Sequence, residues 1–343
     1  MELGLTLASL FLVVENMPKP RTFLFDMFFD DVEPLDTETV LIEYKDGRRL
    51  MAPFVSIYIT GQEMPKETFT GRYFKPCKIA PKKTFTADEL TFERKAGENP
   101  FLKDDPEAKK ETVIANTFQE QVLQVKRRLE KMASEVLYTL TLTVEGEGVK
   151  DKVDYTDPAK SHIITITDPW DTATSDPESD LKATLRQISA DGGERPTMVV
   201  FDPKASDLFQ NHPKIMAKMD LINYDIGNIK PEAENVNGVI YIGRLTSLGL
   251  DLYEYQEYYD NIKPDGTTEV LTMVPEYTAL FTSKGHKARF AAESTIKDGI
   301  LQGDLIPRKF EDEKNDTVEI RTISKPVLIP SNTKSLKVLK VKS

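Results

Sequence analysis

The residues of this chain best able to do chemistry are its histidines, its cysteine and a few paired carboxylates. The histidines are far apart in the 343-residue sequence and none belongs to a His-Glu-x-x-His zinc motif; they are His162, His212 and His286. The single cysteine, Cys77, has no second cysteine with which to form a disulfide or a cysteine-rich zinc site. Asp168 and Asp171 could offer two carboxylates to a metal ion, but an Asp-Pro turn in a loop is the more common meaning of this pattern.

Recognisable catalytic motifs are missing from the sequence. It contains no Gly-x-Ser-x-Gly elbow for a serine nucleophile and no glycine-rich loop that would hold a phosphate. The pairs Asp30-Asp31 and Asp104-Asp105 are better explained by loop solvation and helix capping. We therefore expect no catalytic residue, no cofactor and no metal ion, and we expect that the protein is not an enzyme.

Charge and composition limit the classes of partner. The chain has 45 basic and 56 acidic residues and a formal net charge of −11, which disfavours broad binding to nucleic acid. A hydrophobic fraction of 39% with 29% charged residues is typical of a globular protein rather than a membrane one. Residues 3–14 are apolar, but they lack a basic flank and a cleavage site and are too short to span a bilayer. We favour an arm helix there that buries its apolar face.

A long helix over residues 105–138 is the clearest structural prediction. Asp105 can cap its first turn, and Pro106 suits that turn. Apolar residues then recur at steps of three or four, which places them on one helical face: Ile114, Phe118, Val122, Val125, Leu129, Met132 and Val136. About 34 residues at 1.5 Å each make a rod of roughly 50 Å, which is typical of a flat or elongated molecule.

Residues 37–85 have no helical periodicity and predict an extended, β-rich segment. A strand over residues 39–44 precedes Asp46-Gly47, which favours a tight hairpin turn, and apolar residues resume at Leu50. A second extended part covers residues 54–60. Because a two-stranded ribbon alone is marginally stable in water, we expect support either from a partner subunit or from the body of the same molecule.

An aromatic cluster ahead of this segment permits two interpretations. Its four rings belong to Phe23, Phe25, Phe28 and Phe29. They could face the core of the same chain, or they could dock onto a neighbouring subunit.

The rest of the chain alternates strands and short helices. Helices are predicted over residues 181–188 and 205–221, with a short buried strand over residues 198–201 between them. Strands are also predicted at 238–245, 269–275, 278–282, 288–290 and 317–324. Residues 336–342 alternate apolar residues with lysines, which predicts an edge strand whose lysines discourage unwanted pairing.

Five short motifs follow one another along the chain. They are the aromatic segment 23–29, Phe54-Val55-Ser56 followed by Gly61, Tyr73-Phe74-Lys75-Pro76, the junction Val200-Phe201-Asp202-Pro203-Lys204 followed by Leu208-Phe209, and the apolar run 326–330. Taken in this order, they resemble the major capsid protein of lambda-like tailed bacteriophages, the phage major capsid protein E family. Each motif is weak alone, and Ile57 stands where the family has a proline.

The resemblance implies an α+β fold, the HK97-like capsid fold. Its parts would be an N-terminal arm (1–36), an extended β-loop called the E-loop (37–86), a peripheral or P domain (87–180) and an axial or A domain (181–343). The P domain would contain the helix at 105–138 as its spine helix. The C-terminal strands of the A domain would partly return to the P domain.

The same resemblance implies the function of a major capsid protein. Copies would self-assemble into hexamers and pentamers of an icosahedral shell that encloses double-stranded DNA, without sequence-specific DNA binding and without a membrane. We expect a separate scaffolding protein, because the chain shows no long charged helical extension at its N-terminus. A portal protein and a decoration protein are further expected partners. Assembly would take place in the host bacterial cytoplasm and end in the virion capsid.

Residues expected at the interfaces between subunits lie in the arm and the E-loop: Phe23, Phe25, Phe28, Phe29, Ile42, Tyr44, Phe54 and Tyr73. Two alternatives remain open. One is an encapsulin-like compartment shell, which shares the fold but encloses cargo enzymes. The other is a soluble enzyme with an insertion arm, which a tight catalytic cluster would favour.

Overall fold

The computed structural model describes most of the chain. The described residues are 22–45, 69–86, 89, 106–146, 149–157, 160–216, 238–262, 266–296, 298–312 and 314–342. The main helices in these ranges are α1 (Phe23–Phe28), α2 (Pro106–Thr139), α3 (Pro177–Ala190) and α4 (Pro203–Gln210). None of the described helices is long and apolar enough to span a membrane.

Twenty strands are assigned within the described residues. They are β1 (Asp31–Pro34), β2 (Val40–Lys45), β3 (Phe69–Phe74), β4 (Lys82–Thr86), β5 (Thr141–Gly146), β6 (Val149–Asp154), β7 (Ile163–Thr165), β8 (Met198–Phe201), β9 (Val239–Leu245), β10 (Leu250–Tyr255), β11 (Tyr258–Ile262), β12 (Thr268–Thr272), β13 (Thr278–Thr282), β14 (Lys287–Phe290), β15 (Glu293–Thr295), β16 (Gly299–Leu301), β17 (Ile306–Asp312), β18 (Thr317–Ile323), β19 (Pro326–Ile329) and β20 (Lys337–Lys340).

Helix α2, the spine helix, confirms the long helix predicted from the sequence. It runs from Pro106 to Thr139, one residue later at each end than predicted. All seven residues of the predicted apolar stripe are buried. Leu140, which follows the helix, has a φ of 51°. This left-handed conformation ends the helix and turns the chain into β5.

A three-stranded sheet covers the first half of the spine helix. β17 pairs with β18, and β18 pairs with β4, both antiparallel. Ile320 of β18 and Phe85 of β4 pack with Ile114 and Phe118 of α2. Gln121 of α2 also donates from Nε2 to the Ile320 carbonyl at 2.9 Å. The last strand of the segment 37–85 is therefore held on the spine helix by Phe85 and by its pairing with β18.

The larger sheet has six strands in the order β7-β20-β13-β8-β10-β9. An aromatic core lies between this sheet and the helices α3 and α4: the rings of Trp170, Phe201 and Phe209 have centroids 5.2 to 6.3 Å apart. Asp202, at the end of β8, caps α4 and accepts the Thr278 N–H of β13 at 2.9 Å. The Asp202-Pro203 junction therefore joins a strand, a helix and the neighbouring strand.

The C-terminal strand β20 corrects the prediction of an edge strand. It lies inside the six-stranded sheet, antiparallel to β13 and parallel to β7. Lys337, which we expected to face solvent at an edge, is 2% exposed. Its ammonium group lies 2.9 Å from Asp191 Oδ2 and also donates to the Ser161 carbonyl at 2.5 Å. Asp191 and the Ser161 carbonyl, both distant in sequence, therefore allow the burial of Lys337, which the local sequence pattern places at a free edge.

The helix predicted over residues 205–221 is also corrected. α4 ends at Gln210, and a separate short helical turn covers residues 213–216. Pro213 explains the break, because the residue before a proline disfavours the helical conformation and a proline offers no N–H to the preceding turn. Residues 217–237 lie outside the described residues.

Strand β2 has a pairing partner, β3, that the sequence pattern did not identify. β2 pairs with β3 in a register that joins Val40 to Phe74 and Lys45 to Phe69. The predicted turn at Asp46-Gly47 and the return at Leu50 lie outside the described residues. Within the described part of the segment, β2 and β3 therefore form a two-stranded antiparallel ribbon.

Candidate assembly interface

The histidines and carboxylates considered for chemistry occupy separate positions. His162 is buried with its ring nitrogens facing two carbonyl oxygens, Leu336 O at 3.0 Å and Leu137 O at 3.2 Å, and burial lowers its pKa. Asp171 forms an ion pair with Lys342 at 2.9 Å. Among the described residues, no group of three or more His, Cys, Asp and Glu side chains is placed to hold a metal ion.

A serine–histidine pair is the arrangement that most resembles catalytic machinery. Ser175 Oγ lies 3.1 Å from His212 Nε2, which is the spacing of a nucleophile and its base. However, His212 Nδ1 accepts the Lys214 N–H at 3.3 Å, so Nε2 carries the proton of the neutral ring. Nε2 lies 3.2 Å from the Thr172 carbonyl, to which Ser175 also donates. An imidazole in this tautomer cannot take the serine proton, and the pair instead joins a loop to the end of α4.

The four phenylalanines of the arm lie in the core of their own chain. Each is at most 4% exposed. The Phe23 ring packs against Tyr253 and Tyr255 of β10 at centroid distances of 5.8 and 5.2 Å, and Phe29 packs against His286 at 5.4 Å. In this conformation the rings leave almost no surface for a neighbour. Core packing explains their aromatic character, and a role between subunits stays a prediction.

The strand that follows α1 is also fixed to the body of the subunit. β1 pairs in parallel with β14. Arg289 of β14 makes a bidentate ion pair with Asp31, with both N–O distances at 3.1 Å, and its Nε lies 3.1 Å from Glu33. Planar recognition of this kind holds a carboxylate in one orientation. The arm from α1 to β1 is thus anchored by rings, backbone and charge.

The β2–β3 ribbon has one buried face and one exposed face. Val40, Ile42 and Phe74 are buried in the main core. Leu41 and Tyr73 are directly opposite each other on the other face, where they are 42% and 75% exposed. Two exposed apolar side chains that lie opposite each other on neighbouring strands offer a docking surface. We call this pair the ribbon patch.

The eight predicted interface residues are therefore placed differently. The four arm phenylalanines and Ile42 are buried, and among the six with described side chains only Tyr73 has a large exposed area. Tyr44 lies in β2, where its side chain is not described, and Phe54 lies outside the described residues. Leu41, the cross-strand partner of Tyr73, was missed, although its alternation with Val40 and Ile42 is a signal that could have identified it.

A second exposed apolar feature was also missed. The β15–β16 hairpin carries Ile296 at its tip, fully exposed, and Ile300, 62% exposed. Asp298 in the same turn forms an ion pair with the buried Arg308 of β17 at 2.6 Å, which fixes the hairpin. Asp298-Gly299 between two isoleucines is a hairpin signal that could have been identified in the sequence.

Comparison with known proteins decides what these surfaces belong to. The family described as phage major capsid protein E matches residues 6–341, which is nearly the whole chain. The chain belongs to this family. Its relatives include the major capsid proteins of three phages. The capsid protein is 25% identical over 275 residues to the major capsid protein of Escherichia phage N15, which covers 78% of this chain and 79% of that protein. It is 24% identical over 274 residues to that of Escherichia phage lambda, with coverages of 76% and 78%.

Solved structures confirm the fold of the capsid protein. A protein described as the capsid protein of a prophage of Escherichia coli CFT073 matches with a TM-score of 0.70 and 19% identity, over 98% of this chain and 99% of that one. The capsid of an empty GTA particle matches with a TM-score of 0.51 and 11% identity, over 94% and 90%. At such identities the likeness shows the fold alone, which is the predicted α+β, HK97-like capsid fold.

The chain is therefore a major capsid protein of a tailed phage and a component of the virion capsid. The alternative of an encapsulin-like shell is less well supported, because the curated relatives are phage capsid proteins. The function of such a protein resides in the surfaces between its copies, which makes the ribbon patch and the β15–β16 hairpin the features of interest.

Proposed function

We propose that this capsid protein assembles into hexamers and pentamers that close an icosahedral shell around double-stranded DNA. Identical subunits can close a shell through repeated heterologous contacts. Permanent interfaces typically bury about 2,000–5,000 Å² or more, so each subunit needs apolar surface beyond its own core. The single observation that carries the proposal is the ribbon patch. Leu41 and Tyr73 form an exposed apolar face on strands β2 and β3, whose other face is buried.

We propose the following division of the subunit: N-terminal arm 1–36, E-loop 37–86, P domain 87–180 and A domain 181–343. The six-stranded sheet with α3 and α4 supports the A domain. The packing of β18 on the spine helix supports the return of the C-terminal strands to the P domain. The ribbon of β2 and β3 supports an E-loop that projects from this body.

We propose that the ribbon patch lies over a neighbouring subunit and that Tyr44 and Phe54 take part in the same contact. Tyr73 contributes most to the free energy of this contact, because its ring is the most exposed apolar side chain described on the ribbon. Burying it together with the neighbouring Leu41 removes their apolar area from water. The buried rings of the arm and Ile42 would contribute to such a contact only after a rearrangement of the arm or the ribbon.

We propose further partners on the basis of family membership. They are a separate scaffolding protein, a portal protein and a decoration protein, with assembly in the host bacterial cytoplasm. The net charge of −11 would limit adhesion of the shell to packaged DNA. We also propose that the protein is not an enzyme, which the tautomer of His212 supports at the most suggestive pair of side chains.

Co-expression with the scaffolding protein tests the assembly proposal. Electron microscopy of the wild-type protein should show closed shells, and a wild-type protein that yields only monomers and never a shell would contradict the proposal. The double variant Leu41→Ala with Tyr73→Ala should remain a folded subunit but form few shells. Tyr73→Phe keeps the ring and is the matched control, which should assemble normally. Wild-type yields of shells from the double variant would refute the role of the ribbon patch.

A deletion tests the projecting part of the E-loop. Residues 47–67 are replaced by a short Gly-Ser linker, which leaves the β2–β3 register intact because Lys45 and Phe69 are already neighbours. The expected product is a soluble subunit that no longer assembles, as judged by size-exclusion chromatography and electron microscopy. Shells of normal size and yield would refute the role given to this segment.

A further inference from the structure

Glu130 of the spine helix is a buried carboxylate that receives hydrogen bonds from two other elements. The residue is 2% exposed. Its Oε2 accepts the Phe25 N–H at 2.9 Å, and its Oε1 accepts the Leu24 N–H at 2.8 Å. Both donors lie in the first turn of the arm helix α1. Oε1 also accepts a hydrogen bond from the hydroxyl of Tyr255, the last residue of β10, with an O–O distance of 2.6 Å. One side chain thus touches the arm, the spine helix and the six-stranded sheet.

The neighbouring polar residues of the spine helix extend this arrangement in both directions. Lys126, one turn before Glu130, lies 3.5 Å from Asp26 of α1 and 5.1 Å from the centre of the Phe25 ring. Ser134, one turn after it, donates to the carbonyl of Met273, which follows β12. Residues spaced by four lie on one helical face. Along this face, Lys126 contacts the arm, Glu130 contacts both the arm and β10, and Ser134 contacts the segment after β12.

A carboxylate in this place depends on all of its donors. Burial raises the pKa of Glu130, because a charge without water is stabilised only by the groups that face it. Removing one donor from a buried charged group leaves that charge poorly compensated and weakens the environment of the other partners. The arm amides and the Tyr255 hydroxyl are therefore energetically linked through the same two oxygen atoms, although they lie on elements far apart in sequence.

We propose that Glu130 is a coupling residue that makes docking of the arm helix conditional on the position of β10 against the spine helix. A shift of the six-stranded sheet relative to α2 takes the Tyr255 hydroxyl away from Glu130 and loosens the first turn of α1. The arm helix is then free to leave the body of the subunit. The coupling is a property of the single subunit and does not rest on the assembly proposed above.

Hydrogen–deuterium exchange of the full-length, unassembled subunit tests the coupling. The readout is the exchange rate of the Leu24 and Phe25 amides in peptides covering the arm helix. Tyr255→Phe removes only the hydroxyl on β10 and should raise this rate at least tenfold. The matched control is Tyr155→Phe, which removes a buried hydroxyl that donates to the Leu328 carbonyl at 2.8 Å and should leave the rate within twofold of wild type. No change with Tyr255→Phe would overturn the proposal.

A mutant cycle separates coupling through Glu130 from a direct contact. Glu130→Gln keeps the shape of the side chain but places an amide NH₂ near one of its donors, so it should itself speed exchange of the arm. In this background the additional effect of Tyr255→Phe should fall below twofold. An equal effect in both backgrounds would show that the Tyr255 hydroxyl acts on the arm by a route other than Glu130 and would refute the proposal. If Glu130→Gln does not fold, the comparison of the two tyrosine variants decides alone.

Discussion

Acid should destabilise the subunit through His286, which lies between β13 and β14 and is buried. Its Nδ1 accepts the Ser331 N–H at 3.3 Å, so the neutral ring carries its proton on Nε2, 3.2 Å from the Thr282 hydroxyl. Its backbone N–H donates to the Phe28 carbonyl at 2.9 Å, next to the Phe29 ring. Burial lowers the pKa of His286 from 6.5 to about 4. Protonation would place a charge in this apolar contact between the arm and the body.

The size of the destabilisation follows from the difference between the pKa values of His286 in the folded and unfolded states. The unfolded histidine binds a proton as the pH falls through 6.5, whereas the folded histidine does so only near pH 4. Between these values the unfolded state holds the extra proton, so the free energy of unfolding decreases as the pH falls. A difference of about 2.5 pKa units at about 1.4 kcal/mol each amounts to about 3.5 kcal/mol in full, of which about 3 kcal/mol is lost between pH 7 and pH 4. Above pH 6.5 the stability is fully present.

Urea unfolding of the isolated subunit between pH 4.5 and 7.5 measures this loss. His286→Asn is the informative variant, because its Oδ1 can accept the Ser331 N–H but the side chain does not titrate. The variant should be less stable than wild type at pH 7, since it loses the ring against Phe29. The free energy of unfolding of the variant should nevertheless fall less steeply as the pH decreases. Its slope should be smaller than that of wild type by about 1 kcal/mol per pH unit. His162, whose pKa is also lowered by burial, contributes to both proteins and cancels in the comparison. Parallel curves for the two proteins would refute the reasoning.

Three further predictions concern the core. Truncation after Ser335 removes β20 from between β7 and β13 and should abolish the soluble folded subunit, as seen by circular dichroism and size-exclusion chromatography; a native spectrum would contradict the position of the strand. Phe118→Ala should lower the free energy of unfolding in urea by about 3–5 kcal/mol, whereas Leu123→Ala on the partly exposed face should change it by about 0.5–1 kcal/mol. Asp191→Asn should destabilise more than Lys337→Met, since the former leaves a buried ammonium group without its carboxylate; equal losses in urea would contradict this.

Features with local causes were predictable from the sequence. The spine helix carries its signal in consecutive turns, and the seven apolar residues identified by spacing are all buried. The junction at Asp202-Pro203 is similarly local, because a strand ending in a capping residue and a proline specifies the start of a helix. The strand at Thr278–Thr282 was predicted with its observed bounds.

Features that depend on distant partners were not predictable in this way. The alternation of lysine with apolar residues in β20 is the same for an edge strand and an inner strand, and only Asp191 and the Ser161 carbonyl explain the buried Lys337. The sequence left open whether the arm phenylalanines face the core of their own chain or a neighbouring subunit, because it shows no partner for them nearby. Their partners, among them Tyr253 and Tyr255, come more than half the chain later.

The sequence by itself determined the periodicity of the spine helix, the extended character of the segment around Tyr73 and the family to which the chain belongs. Only the tertiary structure decided which face of the β2–β3 ribbon is free, which strands flank β20 and why Glu130 is buried. A glutamate on a helix ordinarily faces water, and the donors that allow its burial lie 105, 106 and 125 residues away along the chain. Burial and pairing depend on what the fold brings together, and spacing along the chain reports only what neighbouring turns and strands share.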